Sequence, residues 1–202
     1  MKDGVYTTIA APGVGEFKDR GSKFLGFAYP INNLGQVKGH MADLKKLHPK
    51  AVHHCFAYRL GLDGLQFRAN DDGEPSGSAG KPMLGQIDSH GLTNVLVVVV
   101  RYFGGTLLGV PGLINAYKQA VAAALADTAF VERELELVFD IEFDYPVIGD
   151  VLQLLKHAGA TILEKDFQLF CRATVGIPFG ICETVVAKLE DIQSVKVAAK
   201  SP

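Results

Sequence analysis

Apolar residues fill both faces of one stretch, "NVLVVVVRYF" (Asn94 to Phe103), with no polar alternation. That pattern predicts a central strand covered on each side. "KFLGFAYP" (Lys23 to Pro30) is rich in strand-forming residues and ends at a proline, which predicts a second strand. The period then changes. In "NNLGQVKGHMADLKKLHP", Leu34, Val37, Met41 and Leu44 recur at helical spacing, Asn32 or Asn33 can cap the start, and Pro49 stops it. Gly35 and Gly39 weaken this helix by roughly 1 kcal/mol each relative to Ala. "HHCFAYRL" and "LQFRA" flank "GLDG", predicting a hairpin turning at Asp63-Gly64. "GLINAYKQAVAAALADT" places Leu113, Ile114, Tyr117, Ala120, Val121, Ala124 and Leu125 on one helical stripe.

Around "FVEREL" the pattern shifts, and the charged run Glu132 to Glu136 predicts a short linker. Beyond it come strand "LELVFDIEF", helix "VIGDVLQLLKHAG", strands "ATILEKDF" and "LFCRATVGI", helix "GICETVVAKLED" and strand "SVKVAA". This β-α-β-β-α-β order is the ferredoxin-like arrangement. Leu135, Leu137, Phe139, Ile141 and Phe143 share one side of the first strand, as a half-exposed antiparallel sheet requires. The fold class expected is therefore α+β, in two domains, residues 1–131 and 135–202.

Composition narrows the function classes. The 202 residues are 48% apolar and 21% charged, enough to bury a core in each domain. The formal net charge of −2 lacks the basic excess of a general nucleic-acid binder, so any basic surface must be local. Candidates for it are Lys18, Arg20, Lys23, Arg59 and Arg101. Three scattered cysteines, Cys55, Cys171 and Cys182, suit a reducing compartment rather than a disulfide framework. No apolar run follows the opening lysine, and "VLVVVV" is too short to span a bilayer, so a cytoplasmic protein with no membrane partner is expected.

Two glycine-rich segments carry the candidate chemistry. "NDDGEPSGSAG" (Asn70 to Gly80) sets Asp71, Asp72 and Glu74 among Gly73, Ser76 and Gly77. "RYFGGTLLGVPG" (Arg101 to Gly112) sets Tyr102 and Gly104, Gly105, Gly109 and Gly112 between the central strand and a helix. A strand end followed by glycines and a helix start can bind an anion through unpaired amides; a plain structural turn is the alternative. Neither the Walker-A nor the G-x-G-x-x-G spacing is met, and Pro111 removes one donor. The acidic loop could hold Mg²⁺ or simply form Asx-turns and caps around Asp72-Gly73. Ser78 is not in a G-x-S-x-G context, which argues against a serine hydrolase. His53 and His54 point to opposite faces of a strand and cannot share one ion, while His53 and Cys55 are too few for zinc. No metal and no cofactor are expected. Arg101 needs a counter-charge, and Asp71, Asp72 and Glu74 are the nearest candidates in the pattern. The two segments are expected to line one ligand-binding cleft, with Lys23, His54 and Tyr58 as flanking residues.

"SKFLGFA" (Ser22 to Ala28), "HHCFAYRLG" (His53 to Gly61), "DDGEPSGSAGKPML" (Asp71 to Leu84) and "NVLVVVVRYFGGTLLGVPGLINAY" (Asn94 to Tyr117) together resemble the IMPACT/YigZ family. The resemblance covers about residues 15 to 130. It implies an N-terminal fold like the second domain of ribosomal protein S-five, a sheet with helices on one face. It also implies a C-terminal domain like the last domain of elongation factor G. Where the family has S-G-T-A-G this chain has "SGSAG", and Val110-Pro111 stand where a small residue and glycine are usual. Eukaryotic relatives regulate translation through a partner of the kinase for initiation factor two. The function expected is a non-enzymatic, translation-related regulator, with RNA, the ribosome or a protein of translation control as partner. The rival is a metal-assisted hydrolase or phosphoryl-transfer enzyme built on the acidic loop, for which no complete set of nucleophile, base and orienting group is visible.

Overall fold

The computed structural model describes residues 4–61, 64–168 and 170–200. The backbone divides into two compact units, one of Tyr6–Arg133 and one joining Met1–Val5 to Glu134–Pro202. The opening segment was expected with the N-terminal domain. It groups instead with the second unit, where the Leu135 amide donates to the Gly4 carbonyl at 2.6 Å.

The first unit contains strands β1 (Val5–Ile9), β2 (Gly13–Asp19) and β3 (Ser22–Pro30), helix α1 (Leu34–Leu47) and strands β4 (His53–Leu60) and β5 (Gln66–Asn70). Helix α2 (Gly80–Ser89), strand β6 (Val95–Tyr102), helix α3 (Gly109–Ala126) and strand β7 (Phe130–Glu134) complete it. Five strands form an antiparallel sheet in the order β2-β3-β6-β4-β5, with β6 at its centre. β1 pairs with β7, so the charged run expected as a linker is partly strand. β4 and β5 form the expected hairpin, Leu60 opposite Gln66, while Asp63 of its predicted turn lies outside the described residues. α1 starts where predicted, the Asn33 side chain accepting from the Gln36 amide at 3.0 Å.

Both faces of β6 are apolar, so both need a cover. Val95, Val97 and Val99 pack with Met83 and Ile87 of α2 and Leu113, Ala116, Tyr117 and Ala120 of α3. Leu96, Val98 and Val100 pack on the other face with Val37 and Leu44 of α1. The implied sheet with helices on one face is thus corrected: α1 lies opposite α2 and α3, because the strand that is hydrophobic all round exposes a second surface for burial. α3 lies very close to the edge strand β2 and its neighbour β3. A Cβ at Gly13, Gly15 or Gly26 would fall 2.2, 2.4 and 2.2 Å from backbone atoms of Ala124, Ala124 and Ala120. Those three glycines let helix backbone rest almost on strand backbone.

The second unit runs β8 (Glu136–Asp144), α4 (Ile148–His157), β9 (Thr161–Phe167), β10 (Phe170–Pro178), α5 (Cys182–Glu190) and β11 (Lys196–Ala199). Its antiparallel sheet has the order β11-β8-β10-β9. Phe139, Ile141 and Phe143 point to one side and pack with Val151 and Leu155 of α4 and Val185 and Leu189 of α5. Asp140 and Glu142, at the alternate positions, line an open groove on the other side with Glu164, Asp166 and Arg172.

Candidate functional site

The two glycine-rich segments meet. Glu74 and Arg101 are 8% and 5% exposed, and the Arg101 Nη1 donates to Glu74 Oε1 at 2.6 Å. The same carboxylate oxygen accepts from the Tyr117 hydroxyl of α3 at 2.7 Å and lies 3.9 Å from His53 Nε2. Strand register explains the convergence. Arg101 is the cross-strand partner of Phe24 on β3 and of His53 on β4, so these three side chains share the face covered by α2 and α3. The guanidinium stands 5.3 Å from the Phe24 ring centroid and 5.6 Å from that of Phe103. Its Nε is buried without a hydrogen-bond partner.

The carboxylates of the acidic loop are turned inward onto the backbone. Asp71 Oδ2 accepts from the Gly77 amide at 2.9 Å, and Oδ1 accepts from Ala79 and Gly80 at 3.0 and 2.8 Å. It thereby caps α2, whose own N-cap residue Ala79 has no side chain able to do so. Asp72 Oδ2 accepts from the His54 amide at 2.7 Å, and its own amide donates to Asn70 Oδ1 at 2.8 Å. Asp72 and Gly73 both have positive φ, 43° and 89°, which fits an Asx-turn and explains the glycine. His53 Nδ1 lies 2.7 Å from the Asp72 carbonyl oxygen, a further tie between loop and strand. Ser78 is buried and donates to the Pro75 carbonyl at 2.6 Å, while Ser76 is exposed.

Gly104 is held against the β2–β3 turn. Its amide donates to Ser22 Oγ at 3.1 Å, and a Cβ there would fall 1.9 Å from the Gly21 carbonyl carbon. The chain around it is exposed, with Phe103 at 48%, Leu107 at 81% and Val110 at 46%, save for Leu108, which is buried. α3 opens at Gly109 with no side-chain cap, Gly105 and Gly109 both at positive φ.

Four of the expected site residues stand elsewhere. Lys23, His54, Tyr58 and Tyr102 alternate onto the opposite face of the sheet from Arg101, so one cleft does not gather the whole set. Tyr102 is 3.0 Å from His48 Nδ1, Tyr58 is in the core under α1, and His54 is buried with Nε2 unpartnered. Sequence reasoning missed Tyr117, placed in the apolar stripe of α3. A phenol in a buried stripe needs a partner, and that was its signal. It also missed Cys55, whose Sγ lies 3.0 Å from the Asp71 carbonyl and 3.3 Å from the Tyr117 hydroxyl. Burial pushes the Cys55 thiol up to about 12, with Glu74, Asp72 and Asp71 adding to the rise. Burial also raises the Tyr117 phenol. Neither is a ready nucleophile or base.

Each cation of the expected local basic surface has a carboxylate neighbour, with Lys18 and Lys23 sharing one, Glu16. Lys18 and Lys23 both pair with Glu16, at 2.8 and 2.7 Å, Arg20 lies 4.0 Å from Asp19, and Arg59 pairs with Asp88 at 2.5 Å. Among the described residues no group of three or more His, Cys, Asp or Glu is placed to hold a metal ion. Among them, too, no helix is long and apolar enough to cross a membrane.

The model of the Impact N-terminal domain matches residues 20–125, which contain every element of the network around Arg101. The chain belongs to the IMPACT family. An "IMPACT family member" from Haemophilus influenzae is 35% identical over 178 residues, covering 86% of this chain and 85% of that one. "IMPACT family member YigZ" from Escherichia coli is 33% identical, covering 84% of each. A crystal structure described as that of a hypothetical protein is 31% identical, covers 98% of both chains and superposes with a TM-score of 0.74. This IMPACT family chain therefore shares its sequence pattern with bacterial relatives over both units, and not over the N-terminal region alone.

Proposed function

We propose that this IMPACT family protein is a non-enzymatic, cytoplasmic regulator linked to translation that works by binding a macromolecular partner. One observation carries the non-enzymatic part: the charges of the candidate site are spent on each other and on backbone amides. Asp71 serves three amides, Asp72 one, and Glu74 serves Arg101 and Tyr117. A phosphoryl-transfer site needs carboxylates free to hold a metal and an arginine free to meet transferred charge. The link to translation rests on the family resemblance. Of the expected cleft, the exposed stretch Phe103 to Leu107 together with Gly109 and Val110, on either side of the buried Leu108, is the part left for contact, and Gly73 and Ser76 of the anchored loop are exposed. Arg101 and Glu74 act beneath it as its support.

Between the partners, a protein is favoured over RNA. Lys18, Arg20, Lys23, Arg59 and Arg101 each face a carboxylate. The open sheet face of the second unit sets Asp140, Glu142, Glu164 and Asp166 among Lys165, Arg172 and Lys200, with Arg172 on Glu142 and Lys200 near Asp140, and its groove lining includes no aromatic, where sheet-binding RNA modules place stacking rings. Co-sedimentation with ribosomes, before and after nuclease treatment and across a salt series, tests this. Protein-mediated association should persist after nuclease and be lost in Leu107→Asp. Binding to naked RNA with a steep salt dependence would overturn the choice of partner. Turnover of phosphoesters or nucleotides with Mg²⁺, abolished by Asp72→Asn, would overturn the non-enzymatic reading.

A further inference from the structure

The face of the sheet under α1 carries a groove of about 480 Å³ that the site around Arg101 does not touch. One wall is a stripe of α1 and the other is β4 and β5. Leu34, Val37, Met41, Phe56 and Tyr58 make its apolar surface. Lys38, Lys45 and Arg68 stand around it, and no carboxylate lines it. What sets these cations apart is their place around an apolar surface. All three are exposed, and among the described residues none of them is in a salt bridge, whereas Lys18, Lys23, Arg59 and Arg101 are. The groove is thus apolar along its length and uncompensated in charge at its edge.

We propose that this groove docks an acidic amphipathic segment of a protein partner, apolar side chains inward and carboxylates toward Lys38, Lys45 and Arg68. The proposal takes up the reading of this chain as a partner-binding protein and names the partner's chemistry. From Leu34 to Lys45 the α1 stripe extends about 16 Å at 1.5 Å per residue, room for about three turns of a partner helix. Leu34 is 40% exposed although apolar. Met41, unbranched and adaptable, suits a surface that must repack around an incoming side chain. Single-stranded RNA fits less well. Tyr58 is 7% exposed, and the Arg68 guanidinium already sits 5.9 Å from the Phe56 ring centroid, so no bare aromatic platform is left for bases.

The test is NMR titration of the full-length ¹⁵N-labelled chain with synthetic peptides of about 14 residues, long enough for four helical turns. One peptide has leucines on one face and glutamates flanking them. A second replaces the glutamates by lysines, a third scrambles the first, and oligouridylate is the fourth probe. The acidic peptide should shift amides of Leu34 to Lys45, Phe56 and Arg68, and the other three should not. In the doubly substituted Lys45→Glu/Arg68→Glu chain its affinity should fall by about tenfold or more, and Met41→Ser should weaken it without charge change. Lys45 and Arg68 are exposed, so unchanged spectra outside the groove verify that the variant is folded. Equal binding of the lysine or scrambled peptide, oligouridylate shifts at the groove, or no shift there with the acidic peptide would each overturn the proposal. Ribosome co-sedimentation does not enter this readout, so failure of the translation link and failure of the groove are separate results.

Discussion

Replacing Arg101 by methionine removes the charge from the centre of the network while keeping the stem that packs beside Phe24. In the native chain the guanidinium and the Glu74 carboxylate are 2.6 Å apart. At an effective dielectric of about 20, charges at that separation attract by about 6 kcal/mol, much of it offset by withdrawing both from water. After Arg101→Met the carboxylate stays buried with the Tyr117 hydroxyl as its hydrogen-bond donor and only His53 Nε2, 3.9 Å away, as a neighbouring ionisable base. The expected cost is about 3–5 kcal/mol, the range for breaking a buried pair from one side. Glu74→Gln should cost a similar amount by stranding the arginine. The double variant Glu74→Gln/Arg101→Met should be destabilised by less than the sum of the two, with a coupling of about 2 kcal/mol. The chain has six tyrosines and no tryptophan, so circular dichroism in urea suits it better than fluorescence. Hydrogen exchange read on peptides spanning residues 70–84 and 97–117 assigns the loss to the first unit, which matters because two units need not unfold together. A single-variant cost below about 1 kcal/mol, the value of an exposed pair, together with additivity in the double variant, would refute the argument that this pair anchors the acidic loop.

Asp71→Ala removes the acceptor of three amides, at Gly77, Ala79 and Gly80, and should cost about 3 kcal/mol with faster exchange at the start of α2; unchanged exchange there would show that water replaces the carboxylate at no cost. Gly26→Ala drives a methyl group to within 2.2 Å of the Ala120 carbonyl oxygen and should lower the melting temperature sharply or prevent folding, through about 3 kcal/mol or more of overpacking; a normal melt would mean that α3 can move away from β3. The Cys55 thiol, raised by burial to about 12, contributes stability that is intact below its unfolded value near 8.5–9 and is lost as pH rises toward about 12. Melts between pH 8 and 11 should therefore decline less steeply in Cys55→Ala than in the native chain, and parallel slopes would count against this.

What the sequence determined is what depends on neighbours along the chain. The apolar run Val95 to Val100 had to be an interior strand, since no half-exposed strand tolerates six such residues in a row. Asn33 and the spacing of Val37 and Leu44 set α1, the β-α-β-β-α-β succession pointed to the ferredoxin-like sheet, and the alternation of Phe139, Ile141 and Phe143 with Asp140 and Glu142 set the inner face of β8. The meeting of the two glycine-rich segments was also within reach, because a charge ending a buried strand requires a partner and the acidic loop offers one. Local pattern was silent on α2, which starts after glycines with no capping side chain of its own, and on β2, where glycines replace the strand-forming residues that would mark it. Those glycines are needed only because α3 comes to rest on them, and the cap of α2 comes from Asp71, nine residues before Gly80. Which carboxylate meets Arg101 was likewise undecided along the chain: Asp71, Asp72 and Glu74 are equivalent in composition. The fold separates them by turning Asp71 and Asp72 onto backbone amides and burying Glu74 beneath α3. The sorting of Tyr102 and Arg101 onto opposite faces follows from the two-residue repeat, yet what each face packs against is a tertiary fact. Side-chain identity states which contacts a residue needs; only the packed sheet and helices bring those contacts from distant parts of the chain within hydrogen-bond range.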